Sequence, residues 1–308
     1  MQRLGAVLAL PTLLAFAGCA DRRHPELDAD LVEQHKTWRS QRLAALTHED
    51  GWLAVVGLHW LVPGPNSFGS SSENQVVLEA GGVPEMAGIL ELNADGVVTL
   101  RPGAGTEVTV NGEPAGEGPL ATDRTGTPDV VRVGRLRLTI LERGDRRAVR
   151  VRDPDSPRRM GFAGIEAFPL SGRYRVTGIF EPYNDPRPLR VAASQGPPQE
   201  MLAPGVIRFA VDGVACSLEP FVSGPEDSTF FLVFADATTG DETYGGGRFL
   251  YAAAPAQGES LVVLDFNRAT NPPCAFTPFA TCPRPPEGNV LEVAIRAGEK
   301  RLKPHTSW

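Results

Sequence analysis

Most side chains with the chemistry for a binding or catalytic site lie in two loops of the C-terminal half. The first loop, residues 236–248, contains Asp236, Glu242, Tyr244 and Arg248 together with several glycines. Carboxylates act as general bases or cation ligands, a guanidinium holds anions, and a phenol orients a polar ligand. This loop therefore carries candidates for a polar site.

The second loop begins where an apolar run ends at Asp265 and continues into a proline-rich segment. It adds a carboxylate, an amide and a guanidinium to the groups of the first loop. We predict one polar ligand-binding pocket, which is formed by Asp236, Tyr244, Arg248, Asp265, Asn267 and Arg268.

A hydrolase of the cell envelope is the alternative prediction for these residues. The general base would be Asp236 or Asp265. Arg248 or Arg268 would stabilise developing charge, and His59 would enter the site from the N-terminal half. A third interpretation is structural, because an Asp in a turn caps its own backbone and an Asp beside an Arg forms an ion pair. Convergence in an open cleft favours an enzyme, whereas internal pairing favours a scaffold.

Several common functions have no support in the sequence. It lacks the Gly-x-Ser-x-Gly, His-Glu-x-x-His and Gly-Lys-Ser/Thr motifs, and its five histidines show no metal-ligand spacing. The formal net charge of −7 argues against a broad nucleic-acid-binding surface. We therefore predict no cofactor, no metal and no nucleic-acid partner.

The N-terminus resembles a bacterial lipoprotein signal. Arg3 precedes an apolar stretch over residues 4–17, and small residues lead to Cys19. The stretch is shorter than the roughly 20 residues that a transmembrane helix needs. The resemblance implies cleavage before Cys19, lipidation of that cysteine and a membrane anchor in the cell envelope. An outer membrane, with the protein facing the periplasm, is favoured if the host has two membranes.

Three further cysteines lie in the body of the protein. Cys216 falls in an alternating strand pattern, which predicts a buried small apolar side chain. Cys274 and Cys282 enclose a proline-rich loop, and in an oxidising compartment this spacing predicts a disulfide. A reactive thiol at Cys274 is the alternative.

Turn residues between short apolar runs predict a mostly β protein with two β-rich domains. The chain has 33 Gly and 28 Pro, which favours many turns over long helices. Asp28 is expected to cap a single amphipathic helix that ends near Leu46. Its apolar face would contain Leu31, Trp38 and Ala45.

The predicted strands divide between the two halves of the chain. Those of the N-terminal half are 52–61, 75–78, 89–92, 97–100, 107–110, 130–133, 136–141 and 149–153. Those of the C-terminal half are 174–180, 206–211, 214–218, 230–234, 249–251 and 261–266. The predicted organisation is a signal at 1–18, a lipidated tether and helix at 19–50, a β-sandwich at 51–160 and an antiparallel β-sandwich or barrel at 161–303.

The first β-domain resembles a forkhead-associated (FHA) domain. The similar segments are Gly69 followed by residues 74–78, then residues 109–112 and residues 129–134. Ser70 stands where that family has its phosphate-binding Arg, and residues 83–87 replace its Ser-x-x-His. The resemblance implies an FHA-like sandwich that does not bind phosphothreonine peptides, because the charged partner of the phosphate is missing.

A longer resemblance extends from about residue 52 to residue 300. The runs WLAVVGLHWL from residue 52, YGGGRFL from residue 244 and DFNRATNPPCAFTPFATCP from residue 265 are similar to the bacterial family DUF1684, a domain of unknown function. That family implies no established activity. We expect a lipid-anchored binding or interaction protein with a small-molecule or cell-envelope ligand.

Overall fold

The computed structural model describes residues 27–224 and 227–303. The predicted signal, with Cys19, lies outside these described residues. The structure confirms a mostly β protein with one N-terminal helix.

Helix α1 spans Ala29–Thr47 and begins at the predicted cap, where Oδ1 of Asp28 accepts a hydrogen bond from the Leu31 amide at 2.7 Å. The predicted apolar face packs only in part: Leu31 and Trp38 are half-buried. Leu46 is buried against the rest of the protein, whereas Ala45 of the predicted apolar face is exposed.

Eleven strands of the N-terminal half form two facing sheets. They are β1 Val55–Trp60, β2 Gly64–Gly69, β3 Val76–Val77, β4 Gly88–Leu92, β5 Val98–Pro102, β6 Val108–Val110, β7 Glu113–Pro114, β8 Gly118–Leu120, β9 Val131–Val133, β10 Leu136–Arg143 and β11 Arg146–Arg152. One sheet has the order β1-β11-β10-β9-β6-β7, and the other has the order β3-β2-β4-β5-β8. Alternate side chains of both sheets, such as Phe68 and Val149, meet in one apolar core.

Strand β2 begins at Gly64, within the run 63–66 (Pro-Gly-Pro-Asn), whose residue types are typical of turns. Asn66 is almost fully buried, and its amide nitrogen donates to the carbonyls of Val62 and Gly64 at 2.8 and 2.9 Å. Its Oδ1 accepts from the Val62 amide at 2.9 Å. A side chain typical of turns thus satisfies the backbone where the chain bends into the sheet.

The C-terminal half contains the single-turn helix α2 and six further strands. These are α2 Pro157–Met160, β12 Arg175–Val191, β13 Gln199–Val211, β14 Val214–Leu218, β15 Thr229–Phe234, β16 Arg248–Ala253 and β17 Leu261–Asp265. The orders are β14-β13-β12-β17 in one sheet and β15-β16 in the other. Their inner faces share a second apolar core that includes Ile207, Phe234 and Leu264.

Strands β12 and β13 form a ribbon much longer than the predicted strands 174–180 and 206–211. Pro182, Pro186 and Pro188 interrupt the sequence pattern within β12. The pairing register shifts between Pro182 and Arg187, opposite Gly205 and Ala203. An irregularity of this kind accommodates residues that lack an amide donor, so the ribbon continues beyond them.

The loop of residues 274–282 packs against the first sheet. Oγ1 of Thr277 donates to the Val55 carbonyl at 3.0 Å, and Nε of Arg143 lies 3.4 Å from Oγ1 of Thr281. Cys282 packs among Val191 and Ala203 in a third apolar cluster. The two halves therefore meet at this loop, and the domain boundary near residue 160 stays a prediction.

Candidate functional site

Asp236 and Arg248 form an ion pair that is closed to solvent. Nη2 of Arg248 lies 2.7 Å from Oδ2 of Asp236, and both side chains are 0% exposed. The other carboxylate oxygen accepts from the amide and hydroxyl of Thr238 at 2.8 and 2.6 Å. Arg248 also donates to the carbonyls of Ile295 and Ala297. The pair therefore fastens the C-terminal segment to β15 and β16, and it presents no group to a ligand.

Asp265 and Asn267 also have local structural partners. Oδ1 of Asp265 accepts from the amide and side-chain nitrogen of Asn267 at 3.2 and 2.8 Å. The side chain of Asn267 in turn bonds both backbone groups of Ser171, at 2.9 and 3.0 Å. Nε of Arg268 lies 3.8 Å from Asp265, and its guanidinium lies over the ring of Trp38. These contacts cap a turn and dock it onto the chain before β12.

His59 and Glu242 do not join these groups. His59 lies in β1 opposite Val149, and burial lowers its pKa below the ordinary value. Glu242 pairs at the surface with Arg296, at 2.8 Å. The carboxylates and arginines proposed for hydrolysis are thus paired internally, as the structural interpretation expects.

Tyr244 belongs to a different group, which we call the thiol cluster: Ser194, Tyr244, Cys274 and Cys282. The Tyr244 hydroxyl donates to the Cys274 carbonyl at 3.1 Å. The Cys274 amide donates to Sγ of Cys282 at 3.2 Å, and the Cys282 amide donates to Oγ of Ser194 at 2.9 Å. The two cysteines are adjacent and free in this structure, and the disulfide between them stays a prediction.

The triple glycine of the first loop positions Tyr244. A Cβ added at Gly246 would lie 2.5 Å from Cε1 of the tyrosine ring, so the ring lies directly on the backbone there. Gly247 has a φ of +83°, and a Cβ there would lie 2.4 Å from Cγ of Pro285. Only glycine allows this conformation and this close approach without strain. The loop therefore brings the phenol to the proline-rich segment that carries both cysteines.

The pKa values of the two thiols are shifted in opposite directions. The pKa of Cys274 falls to about 6, mainly because the Cys282 thiol hydrogen-bonds to it, with further contributions from Tyr244 and Ser194 that together exceed the effect of burial. The pKa of Cys282 is raised, first by the same hydrogen bond and then by burial. Cys274 is partly exposed and Cys282 is buried. The cluster thus holds an accessible thiolate beside a protonated thiol.

A buried arginine adds positive charge near the cluster. Arg150 on β11 is 6% exposed and stacks on the Trp52 ring, with its guanidinium carbon 4.6 Å from the ring centroid. Burial lowers its pKa to about 9, and its positive charge partly opposes the rise in the pKa of Cys282. Nothing in the sequence marks Arg150 or Ser194 as site residues. Arg150 alternates with valines in a strand, a pattern that predicts an exposed side chain, and nothing local distinguishes Ser194.

A separate cavity of about 730 Å³ opens between α1, the chain after α2 and the C-terminal segment. This volume lies in the range of small-molecule sites. Its apolar walls are formed by Leu43, Leu53, Phe162, Ile165, Phe276 and Leu302. Its charged lining residues are Glu166, Arg301 and Lys303. None of the six residues predicted for the polar pocket lines this cavity.

Two classes of site are missing from the part of the chain that the structure describes. Within residues 27–224 and 227–303, no three side chains of His, Cys, Asp or Glu are grouped so that they could hold a metal ion. In the same residues, no helix combines the length and apolar character needed to cross a bilayer.

The fold and sites define a β-rich protein with an apolar cavity and a pair of thiols at the junction of its two halves. Residues 160–300 match the family described as "Protein of unknown function (DUF1684)". The match to DUF1684 is thus shown for residues 160–300, and the resemblance predicted over residues 52–300 is confirmed for this C-terminal part.

Solved structures give three further likenesses. The uncharacterized protein from gene locus rrnAC0354 of Haloarcula marismortui is 31% identical, over 48% of this chain and 80% of that chain, with a TM-score of 0.40. An FHA domain studied for phosphothreonine-dependent interactions is 24% identical over 31% of this chain and 92% of its own, with a TM-score of 0.23. The FHA domain of FhaA is 23% identical over 31% of this chain and 97% of its own, with a TM-score of 0.22. No curated protein matches the chain.

Proposed function

We propose that this protein is a membrane-anchored binding protein of the cell envelope whose ligand is an amphiphile with an apolar chain and an anionic head group. The observation that carries the proposal is the cavity of about 730 Å³ between α1 and the C-terminal segment. Its walls come from elements far apart in sequence, so only the folded chain forms it.

The apolar lining supports the apolar part of the ligand. Leu43 and Leu53 enter from the N-terminal half, and Phe276 enters from the loop that carries the thiols. Burial of apolar surface contributes roughly 25 cal/mol per Å², so a hydrocarbon chain of ten or more carbons would gain substantial affinity there. A purely polar ligand would gain nothing from these walls.

The charged lining residues support the anionic head group. Nζ of Lys303 pairs with Oε1 of Glu166 at 2.5 Å, which cancels two of the three charges. Nη1 of Arg301 donates to the Gly240 carbonyl at 3.1 Å, and the guanidinium has further donors for a carboxylate. The cavity therefore has one excess positive charge at its edge.

The anchor would bring the cavity close to a source of such amphiphiles. A lipidated Cys19 would keep the protein at a membrane surface, where fatty acids and lipid fragments are concentrated. Phase separation in a detergent tests this part of the proposal. The mature wild-type protein should partition into the detergent phase, and Cys19→Ala should not. Equal partitioning of both would contradict the anchor.

Ligand binding is tested with dodecanoate, a 12-carbon fatty acid, by displacement of a fluorescent fatty acid from the purified protein. Ala163 lines the cavity and is exposed, so Ala163→Trp should fill the cavity with little effect on the core. Ala44 is also exposed but does not line the cavity, so Ala44→Trp is the matched control. We expect Ala163→Trp to weaken binding at least about tenfold and Ala44→Trp to leave it unchanged.

Two further arms define the ligand class. Arg301→Gln should weaken dodecanoate binding several-fold while leaving the binding of neutral dodecyl maltoside unchanged. A chain that ends at Lys303 serves as a second control. It tests whether residues 304–308, which follow the cavity lining directly in sequence, contribute to dodecanoate binding. Equal affinities of Ala163→Trp and Ala44→Trp for dodecanoate would overturn the proposal.

A further inference from the structure

We propose that Cys274 and Cys282 are a redox-active pair, which exchanges between dithiol and disulfide by reaction of Cys274 with the disulfide of a peptide or small thiol. This activity is independent of ligand binding in the cavity. It rests on the arrangement of the thiol cluster, which brings together two sulfurs, two hydroxyls and a nearby buried cation.

The first observation is the difference in accessibility between the two sulfurs. Cys274 is partly exposed, whereas Cys282 is 4% exposed and packs among apolar residues of the third cluster. Thiol exchange needs an accessible thiol for the first attack and a sheltered neighbour for the second. The structure supplies one of each, in mutual contact.

The second observation is the set of donors around Cys274. Sγ of Cys282 accepts a hydrogen bond from the Cys274 amide at 3.2 Å, so the two cysteines are in direct contact. The pKa of Cys274 is lowered first by the Cys282 thiol and then by Tyr244 and Ser194, and this favours the nucleophilic thiolate. Cys216 is the contrast within the same chain, since burial raises its pKa.

The third observation is the hydrogen bonding of the two hydroxyls. Each donates to a backbone carbonyl: Ser194 to Ala280 at 2.8 Å, and Tyr244 to Cys274 at 3.1 Å. When the thiolate is consumed in a disulfide, both hydroxyls can donate fully to these carbonyls. The cluster therefore has satisfied hydrogen bonds in both redox states.

The reaction balances in two steps. The Cys274 thiolate attacks one sulfur of the external disulfide, forming a mixed disulfide and releasing one thiolate. Cys282 then loses its proton to solvent and attacks Sγ of Cys274, which forms the internal disulfide and releases the second thiolate. Two electrons pass from the cysteine pair to the external disulfide, which leaves as two thiols.

The test uses the full-length protein equilibrated with mixtures of reduced and oxidised glutathione. Free thiols are then alkylated, and mass spectrometry of the segment between Arg268 and Arg284 distinguishes the dithiol from the disulfide. We expect half of the pair to be oxidised within the range that millimolar glutathione mixtures set, while circular dichroism shows a folded protein throughout. Cys216 is the control thiol and should remain reduced.

Two results would overturn the proposal. A pair that stays reduced even in excess oxidised glutathione is not redox-active. A disulfide that glutathione reduces only after the protein unfolds is a structural crosslink.

The order of attack is tested with two matched variants. With oxidised glutathione, Cys282→Ala should accumulate a mixed disulfide at Cys274, because the second attack is missing. Cys274→Ala should form none at Cys282. Equal glutathione adducts on both variants would contradict the assigned roles.

The role of Tyr244 as a positioning residue is tested by the pH dependence of alkylation. The midpoint for Cys274 should lie near pH 6 in the wild type. Tyr244→Phe should raise it by about half a unit, because one donor to the thiolate is lost. An unchanged midpoint in this variant would show that the phenol serves packing alone.

Discussion

The Asp236–Arg248 pair and the thiol cluster both lie in the C-terminal half, and they differ in how their donors and acceptors are occupied. In the ion pair, both side chains are 0% exposed, and the carboxylate and guanidinium bond to each other, to Thr238 and to backbone carbonyls. In the thiol cluster, one sulfur is partly exposed, and two hydroxyls each donate to a backbone carbonyl.

This difference indicates which of the two groups of residues can change its protonation or redox state. A buried charge pair with well-placed partners is costly to disturb, because any loss leaves an uncompensated charge in the interior. A partly exposed thiol such as Cys274 can lose or gain a proton at lower cost, because solvent still reaches it. The sequence offered Asp236 and Arg248 as the more obvious chemical groups, yet their burial and their pairing with each other make them structural.

The largest expected effect is the loss of stability on breaking the ion pair. Arg248→Met removes the guanidinium and leaves the Asp236 carboxylate buried without its counter-charge. We expect a decrease of about 3–5 kcal/mol in the free energy of unfolding, measured by urea denaturation.

The matched control for this change is Arg296→Met. Arg296 pairs with Glu242 at the surface, and its side chain is 57% exposed. Exposed pairs contribute little, so the free energy of unfolding should fall by less than about 1 kcal/mol. Similar losses of stability in the two variants would contradict the expected difference between a buried ion pair and an exposed one.

A smaller effect is expected in the pH dependence of stability of the reduced protein. The pKa of Cys274 is about 6 in the folded state, below its ordinary value near 9. The thiolate thus stabilises the fold fully above pH 9, and this contribution is lost as the pH falls toward 6. The raised pKa of Cys282 acts in the opposite sense only at still higher pH.

The stability of the reduced wild type should therefore rise between about pH 7 and about pH 8.5, by at most roughly 1 kcal/mol per pH unit. This window lies above the range in which His35 and His59 titrate, since the pKa values of both are lowered. Urea denaturation in the presence of a reductant measures the slope. Cys274→Ser should lack it, and an equal slope in that variant would assign the effect to other groups.

Much of the fold could be predicted from sequence, because local patterns determined it. Helix α1 begins at the predicted Asp28 cap, and the predicted strand 230–234 corresponds closely to β15, Thr229–Phe234. The failures lie where side chains override a local rule. Asn66 satisfies the backbone of a strand in place of a turn, and the prolines of β12 are accommodated at a register shift.

The site was less predictable, because its members come together only through the tertiary fold. Cys274 and Tyr244 were both selected from the sequence, but in different roles, and their contact with each other was not predicted. Ser194 reaches Cys282 from the chain after β12, where its Oγ accepts from the Cys282 amide, and no spacing in the sequence reports this contact. The residue types indicated the chemistry, whereas their partners depended on sheet packing.

The smallest expected effect separates the two clusters by removing one hydroxyl from each. Thr238→Val deletes the 2.6 Å hydrogen bond to Asp236 with little change in shape. It should lower the free energy of unfolding by about 1 kcal/mol and leave the alkylation midpoint of Cys274 unchanged. Tyr244→Phe should do the reverse, raising the midpoint with a smaller loss of stability, because its hydroxyl bonds groups that are only partly buried. A shifted alkylation midpoint of Cys274 in Thr238→Val would mean that the ion pair and the thiol cluster are coupled. The Asp236–Arg248 pair would then influence the redox reaction of the cysteines.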